Sequence, residues 1–206
     1  LKGMAEEQSI IGAIIAGGAG RRMGGQPKPL LRLKGRFLIQ HVIERLAPQV
    51  GRVVLSAAGA SPELEKLGLA VVEDARAGRQ GPLAGIEAAL IWAKSEAPAA
   101  QWLAVVPCDV PFLPADLVRR LIAGAEAQDT LAACARTAEQ DHPLCAVLRP
   151  SVIGFLQDWL AQDRHAVHRF LDEIGAARVE FRDDEAAAFF NINTPSDLSE
   201  AEARLS

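Results

Sequence analysis

Between Ile14 and Lys28 the chain reads Ile-Ile-Ala-Gly-Gly-Ala-Gly-Arg-Arg-Met-Gly-Gly-Gln-Pro-Lys, with five glycines inside nine residues, two arginines among them and a lysine at the end. Glycine tolerates positive φ and close backbone approach, so several N–H groups can converge on one anion. Arg21, Arg22 and Lys28 supply countercharge, and an apolar run ends just before, at Ala16. A strand, a glycine turn and three cations are the parts of a triphosphate cradle, to which Ile15, Ala16, Gly17, Gly18 and Gly20 lend backbone. The common phosphate motifs do not match. Lys28 stands between two prolines rather than in G-x-x-x-x-G-K-[ST], and the third glycine of a G-x-G-x-x-G fingerprint falls one place late, at Gly24.

Other residues could join the cradle. Asp109 follows the apolar run 102–106. Ligands of α/β sheets bind beyond the carboxyl ends of strands, and a carboxylate there can hold Mg²⁺ together with substrate phosphates. Asp109 could equally cap a helix or begin a turn. Glu73-Asp74 also ends a short apolar run, and Gly81-Pro82-Leu83-Ala84-Gly85 opens a helical pattern whose N-terminus favours anions; a solvated turn and a tight structural turn are the alternatives. Cys108 reads as a small filler rather than a nucleophile. His165 and His168 have i,i+3 spacing but no evident third ligand for a metal. No G-x-S-x-G and no orderable Ser-His-Asp set is present, which suits a reaction whose substrates bring both nucleophile and leaving group.

The elements that must hold these residues alternate. Apolar runs at 10–16, 52–57, 70–73 and 102–107 read as strands covered on both faces, and helical periodicities lie between them at 37–47, 83–94 and, opened by Pro114, 115–125. This predicts an α/β fold, a single-domain, doubly wound, mostly parallel sheet with helices on both faces. Later, 130–136, 144–148 and 178–181 read as strands and 150–175 as mostly helix, and Thr194-Pro195-Ser196-Asp197 is a helix start. Residues 1–3 are expected to be an expression remnant and 4–206 one domain, its later part contributing to a second substrate site.

Charge narrows the ligand. Residues 1–36 carry seven cations against two anions, and the whole chain still nets −4. A local cationic segment in an acidic protein suits a small anion and disfavours nucleic acid. Three cysteines without C-x-x-C spacing argue against disulfides and structural zinc, so a reducing, cytoplasmic setting is expected. No apolar run approaches a membrane span, and no membrane partner is expected.

With these residues in view, the chain resembles the molybdenum cofactor guanylyltransferases, within the nucleotidyltransferases that share G-G-x-x-x-R-M-G…K. The resemblance covers nearly the whole chain from Ile10 and includes Gly17–Lys28, Glu73-Asp74, Gly81–Gly85, Pro107-Cys108-Asp109-Val110-Pro111, His142-Pro143 and Asn191-Ile192-Asn193-Thr194-Pro195. It implies that molybdopterin phosphate attacks the α-phosphate of GTP, with Mg²⁺ on Asp109 and with Lys28, Arg22 and Asp109 as catalytic groups. It implies nucleotide contacts at Asp74, Gly81 and Gly85, and a molybdopterin site drawing on Arg164, Asn191 and Asn193. Asn191 and Asn193 would face one side of an extended segment, to bind pterin or phosphate or to support the turn before Thr194. Arg164 reads equally as a surface cation, and His142 either reaches the site or ends a strand. A recipient molybdoenzyme or its chaperone is a further implied partner. One departure is Ser56, where the family often has Asn; serine reaches less far and lacks an amide to read a base. Ala16-Gly17-Gly18 matches the guanylyl-transferring members, whereas cytidylyl-transferring relatives tend to carry A-A-G. Rival readings are a transferase acting on a sugar phosphate, a cobinamide phosphate or molybdopterin with CTP, and a non-catalytic pterin or nucleotide carrier.

Overall fold

In the computed structural model, which describes residues 9–16, 27–57, 59, 61–73 and 81–205, one seven-stranded sheet organises the chain. Its order is Ala70–Val72 (β5), Arg52–Ser56 (β4), Ile10–Ile15 (β1), Trp102–Pro107 (β6), Asp141–Leu148 (β8), Ala132–Arg136 (β7) and Ala177–Glu180 (β9). Every strand runs parallel to its neighbours except β8, which is antiparallel to both β6 and β7. The expected doubly wound, mostly parallel sheet is therefore what forms.

All residues of β1 and β6 are buried, and their side chains alternate between two layers. Ile10, Ile14, Trp102, Ala104 and Val106 pack towards helices Leu38–Leu46 (α1), Pro62–Glu65 (α2) and Leu117–Ala127 (α4). Ile11, Ala13, Ile15, Leu103 and Val105 pack towards Pro82–Glu96 (α3), Ile153–Ala161 (α5) and Val167–Glu173 (α6). Burial on both faces is why these strands read as unbroken apolar runs, each large side chain contributing about 1.5–3 kcal/mol. Gly12 lets α1 close on the sheet, because a Cβ there would stand 2.9 Å from Leu46 Cδ2.

Several boundaries differ from expectation. The helix after Pro114 begins at Leu117, behind Asp116, and Pro114 instead accepts from Leu117 N in the turn before it. Strand β8 starts at Asp141 rather than 144, because a register shift lets Ala135 pair with His142 while Cys134 pairs with Ala146, and so accommodates Pro143. The 150–175 stretch is two helices, parted by a turn in which Asp163 has φ 59°. An unforeseen hairpin joins Arg32–Leu33 (β2) to Arg36–Phe37 (β3) through Lys34 and Gly35, both with positive φ. It packs with Leu38, Ile192 and the C-terminal helix Pro195–Arg204 (α7) in a small separate cluster.

The carboxyl ends of β5, β4, β1 and β6 share one edge. From β1 the chain moves outward through β4 to β5, then crosses to β6 on the other side of β1. The winding reverses between β1 and β6, where α/β sheets open a crevice for ligands. Among the described residues no helix is long and apolar enough to cross a membrane.

Candidate active site

Backbone bonds hold the strand ends level at this reversal. Ala16 N donates to Ser56 O at 2.8 Å and Cys108 N to Ile15 O at 3.2 Å. Asp109 sits on the turn leaving β6, and Lys28 opens a 3-10 turn, Lys28–Leu30, after the glycine loop. The Lys28 ammonium donates to Asp109 Oδ2 and, at 2.7 Å, to Asn193 Oδ1. Segments 81 and 165 residues apart in sequence thus meet at one amine. Both charged side chains are mostly buried, at 13% and 15% exposure. Asp109 Oδ1 is buried with no hydrogen-bond partner among the described residues. Leaving a polar oxygen unsatisfied costs about 1–3 kcal/mol, and more for a charged group, so this atom is available to an incoming cation or donor.

Asn193 reaches Lys28 because its neighbours are pinned. Ile192 is fully buried and its N–H donates to Asp109 O at 3.0 Å, while Asn191 and Asn193 are exposed on either side of it. Thr194 caps α7, accepting from Asp197 N at 3.1 Å, and Asp197 Oδ2 accepts from Asn193 N and Thr194 N at 2.8 Å each. The bond from Asn193, those with Thr194 and the nearby Lys28 charge hold the Asp197 carboxyl below its usual range. Sequence reading found the helix start but missed Asp197 as a support of the site; the T-x-x-D spacing was the available signal.

The remaining candidates fall into four groups. Ile15, Ala16, Ser56, Gly81 and Gly85 lie along the same edge. Ile15 is buried in the strand. Ser56 is fully buried, its hydroxyl without a partner among the described residues, and a Cβ on Gly85 would stand 2.5 Å from that oxygen. Gly81, at φ +72°, caps α3 ahead of Pro82 in a backbone conformation that favours glycine. The Arg164 guanidinium stands 4.5 Å from the Trp159 ring centroid, in a cleft of about 660 Å³ shared with His165 and Arg169. That segment approaches the α3 start, since a Cβ on Gly81 would lie 4.0 Å from His165 O. His142 stacks on Phe189 at 4.5 Å and contacts Thr137 Oγ1, and burial lowers its pKa against the opposing pull of Asp141. Gly17, Gly18, Gly20, Arg21, Arg22 and Asp74 lie outside the described residues.

The model of the MobA-like NTP transferase domain matches residues 12–179. The chain belongs to that family. It is therefore a nucleotidyltransferase. A molybdenum cofactor guanylyltransferase from Bradyrhizobium sp. (strain ORS 278) is 43% identical over 195 residues, 94% of this chain and 92% of that one. The one from Yersinia pestis (strain Pestoides F) is 40% identical over 191 residues, 93% and 94% of the two chains. The crystal structure of the molybdopterin-guanine dinucleotide biosynthesis protein A of Archaeoglobus fulgidus matches with a TM-score of 0.73 at 28% identity, covering 95% of this chain and 98% of that one.

The thiols fit a nucleotidyltransferase that needs no protein nucleophile. Burial, then the Asp109 charge, pushes Cys108 up to about 12, and burial raises Cys145 as well. Neither forms a thiolate near neutrality. The filler reading of Cys108, 5% exposed, agrees with this environment.

Proposed function

We propose that the chain transfers GMP from GTP to the terminal phosphate of molybdopterin, giving the guanine dinucleotide cofactor and pyrophosphate, in the cytoplasm. A phosphate oxygen of molybdopterin attacks the α-phosphorus, and the bond from that phosphorus to the bridging β-phosphate oxygen breaks. The observation that carries this reading is the Lys28–Asp109 pair at the strand reversal, with Asp109 Oδ1 buried and without a partner among the described residues. The guanylyltransferase relatives over nearly the full chain support the choice of substrates.

The donor set suits Mg²⁺. No group of three or more His, Cys, Asp or Glu that could hold a metal occurs among the described residues, and Mg²⁺ commonly takes one or two carboxylates plus substrate phosphates. Asp109 would hold it, and when bound it would neutralise phosphate charge. Lys28 donates to the triphosphate from its place beside Asp109, and Arg21 and Arg22 add countercharge for the departing pyrophosphate. Gly17, Gly18 and Gly20 offer backbone donors, Ala16, whose N–H is taken by Ser56 O, borders the nucleotide without donating, Gly81 and Gly85 admit the nucleotide close to α3, and Asp74 contacts ribose or base. Arg164, Asn191 and Asn193 serve the molybdopterin side. Fixed charges of this kind are worth roughly 10²–10³ in rate per group. Incubation with molybdopterin, GTP and Mg²⁺, followed by mass spectrometry, should yield the guanine dinucleotide and pyrophosphate; equal use of CTP would overturn the base assignment, and no nucleotide product would overturn the reaction.

A further inference from the structure

The geometry points to Asp197 as a positioning residue that fixes Lys28 through Asn193. The inference rests on the proposed role of Lys28 in transfer. A lysine side chain is a flexible stem carrying a point charge, so its place depends on the partners of its ammonium. Here they are Asp109 Oδ2 and Asn193 Oδ1. A ligand engaging Asp109 competes for the first partner, and Asn193 is the one that stays. The Asn193 side chain is exposed, so no packing holds its amide. Its backbone holds it instead, through the Asp197 bonds to Asn193 N and Thr194 N. The buried Ile192 and its bond to Asp109 O anchor the preceding residue independently. Without the Asp197 carboxylate, the chain is released just where the amide must aim.

A helix cap alone would account for the same carboxylate, and the two halves of the cap separate the roles. Thr194 Oγ1 accepts from Asp197 N, so Thr194→Ala weakens the start of α7 while sparing the bond to Asn193. Asp197→Ala removes that bond. Asp197→Glu keeps a carboxylate at a capping position where Glu is favoured.

Two readouts apply to the full-length variants. Acetylation of Lys28 by an N-hydroxysuccinimide ester, followed by peptide mass spectrometry on the ligand-free protein, needs no turnover. It therefore tests the inference even if the substrate assignment fails. Lys28 should react several-fold faster in Asp197→Ala, and at the wild-type rate in Thr194→Ala and Asp197→Glu. In turnover, kcat should fall about tenfold in Asp197→Ala while KM for GTP moves less than about twofold, as expected for a misplaced group. Should Asp197→Ala not fold, Asp197→Asn, which keeps the shape and drops the charge, takes its place with effects in the same direction. Equal effects in the Asp197 and Thr194 variants, or unchanged Lys28 reactivity in the Asp197 variant, would overturn the proposal.

Discussion

Two carboxylates at the same edge of the sheet are treated in opposite ways. Asp141, at the start of β8, is saturated. Arg136 donates to both its oxygens, at 2.5 and 3.1 Å, and Arg178 adds a third bond at 2.9 Å. Arg178 also reaches Asp172 and Ala176 O. The Arg136 bond, then that from Arg178, holds the Asp141 carboxyl down to about 2 against the opposing effect of burial. Asp109, at the winding reversal, has one oxygen on Lys28 and the other buried without a described partner, and the Ser56 hydroxyl at the end of β4 likewise has no partner among the described residues. Full satisfaction marks a carboxylate that holds the fold together. Incomplete satisfaction, at a place where the topology opens a crevice, marks one kept for a ligand.

The widest split between the two should appear in turnover. Asp109→Asn, close to isosteric, should lose about 10²–10³ in kcat/KM in a coupled pyrophosphate assay while keeping its melting temperature. Near-wild-type turnover would place Asp109 with Asp141. Next comes Gly85→Ala, whose Cβ must displace Ser56 Oγ from 2.5 Å. Overpacking of this kind costs typically about 1–3 kcal/mol in urea unfolding. Ser56→Ala should recover part of that loss, because the hydroxyl it removes has no described partner to leave behind. The smallest effect belongs to the saturated acid. Asp141→Asn should lower stability by about 1–2 kcal/mol at neutral pH, discounted for the partly exposed Arg136, with little change in turnover. The Asp141 pKa is lowered in the folded state, so its contribution is present above 3.8 and fades as pH falls towards about 2. Unfolding curves of variant and wild type should therefore converge in that window; a gap that persists below it would contradict the assignment.

The parts of this contrast were unequally legible in the sequence. β1 and β6 were plain because burial on both faces removes alternation, and Asp109 stood out by following such a strand. The hairpin around Lys34-Gly35 was invisible because its strands are two residues each, too short for a period. The first residues of β8 were missed because Pro143 reads as a strand breaker, and only the register shift against β7 admits it. Ser56 reads as a nucleotide contact only through the resemblance, since it stands where the family often has Asn. Its complete burial follows from α3, where a side chain at position 85 would be in the way, and no local pattern carries that information. Asp197 looked like a helix cap and is one; its link to Lys28 exists only because the C-terminal segment returns to β6.

The decisive experiment is a crystal structure with GTP and Mg²⁺ bound. The triphosphate should contact Lys28 Nζ at the carboxyl edge between β1 and β6, with the metal on Asp109. A nucleotide seated elsewhere, with the Lys28–Asp109 pair undisturbed, would contradict it.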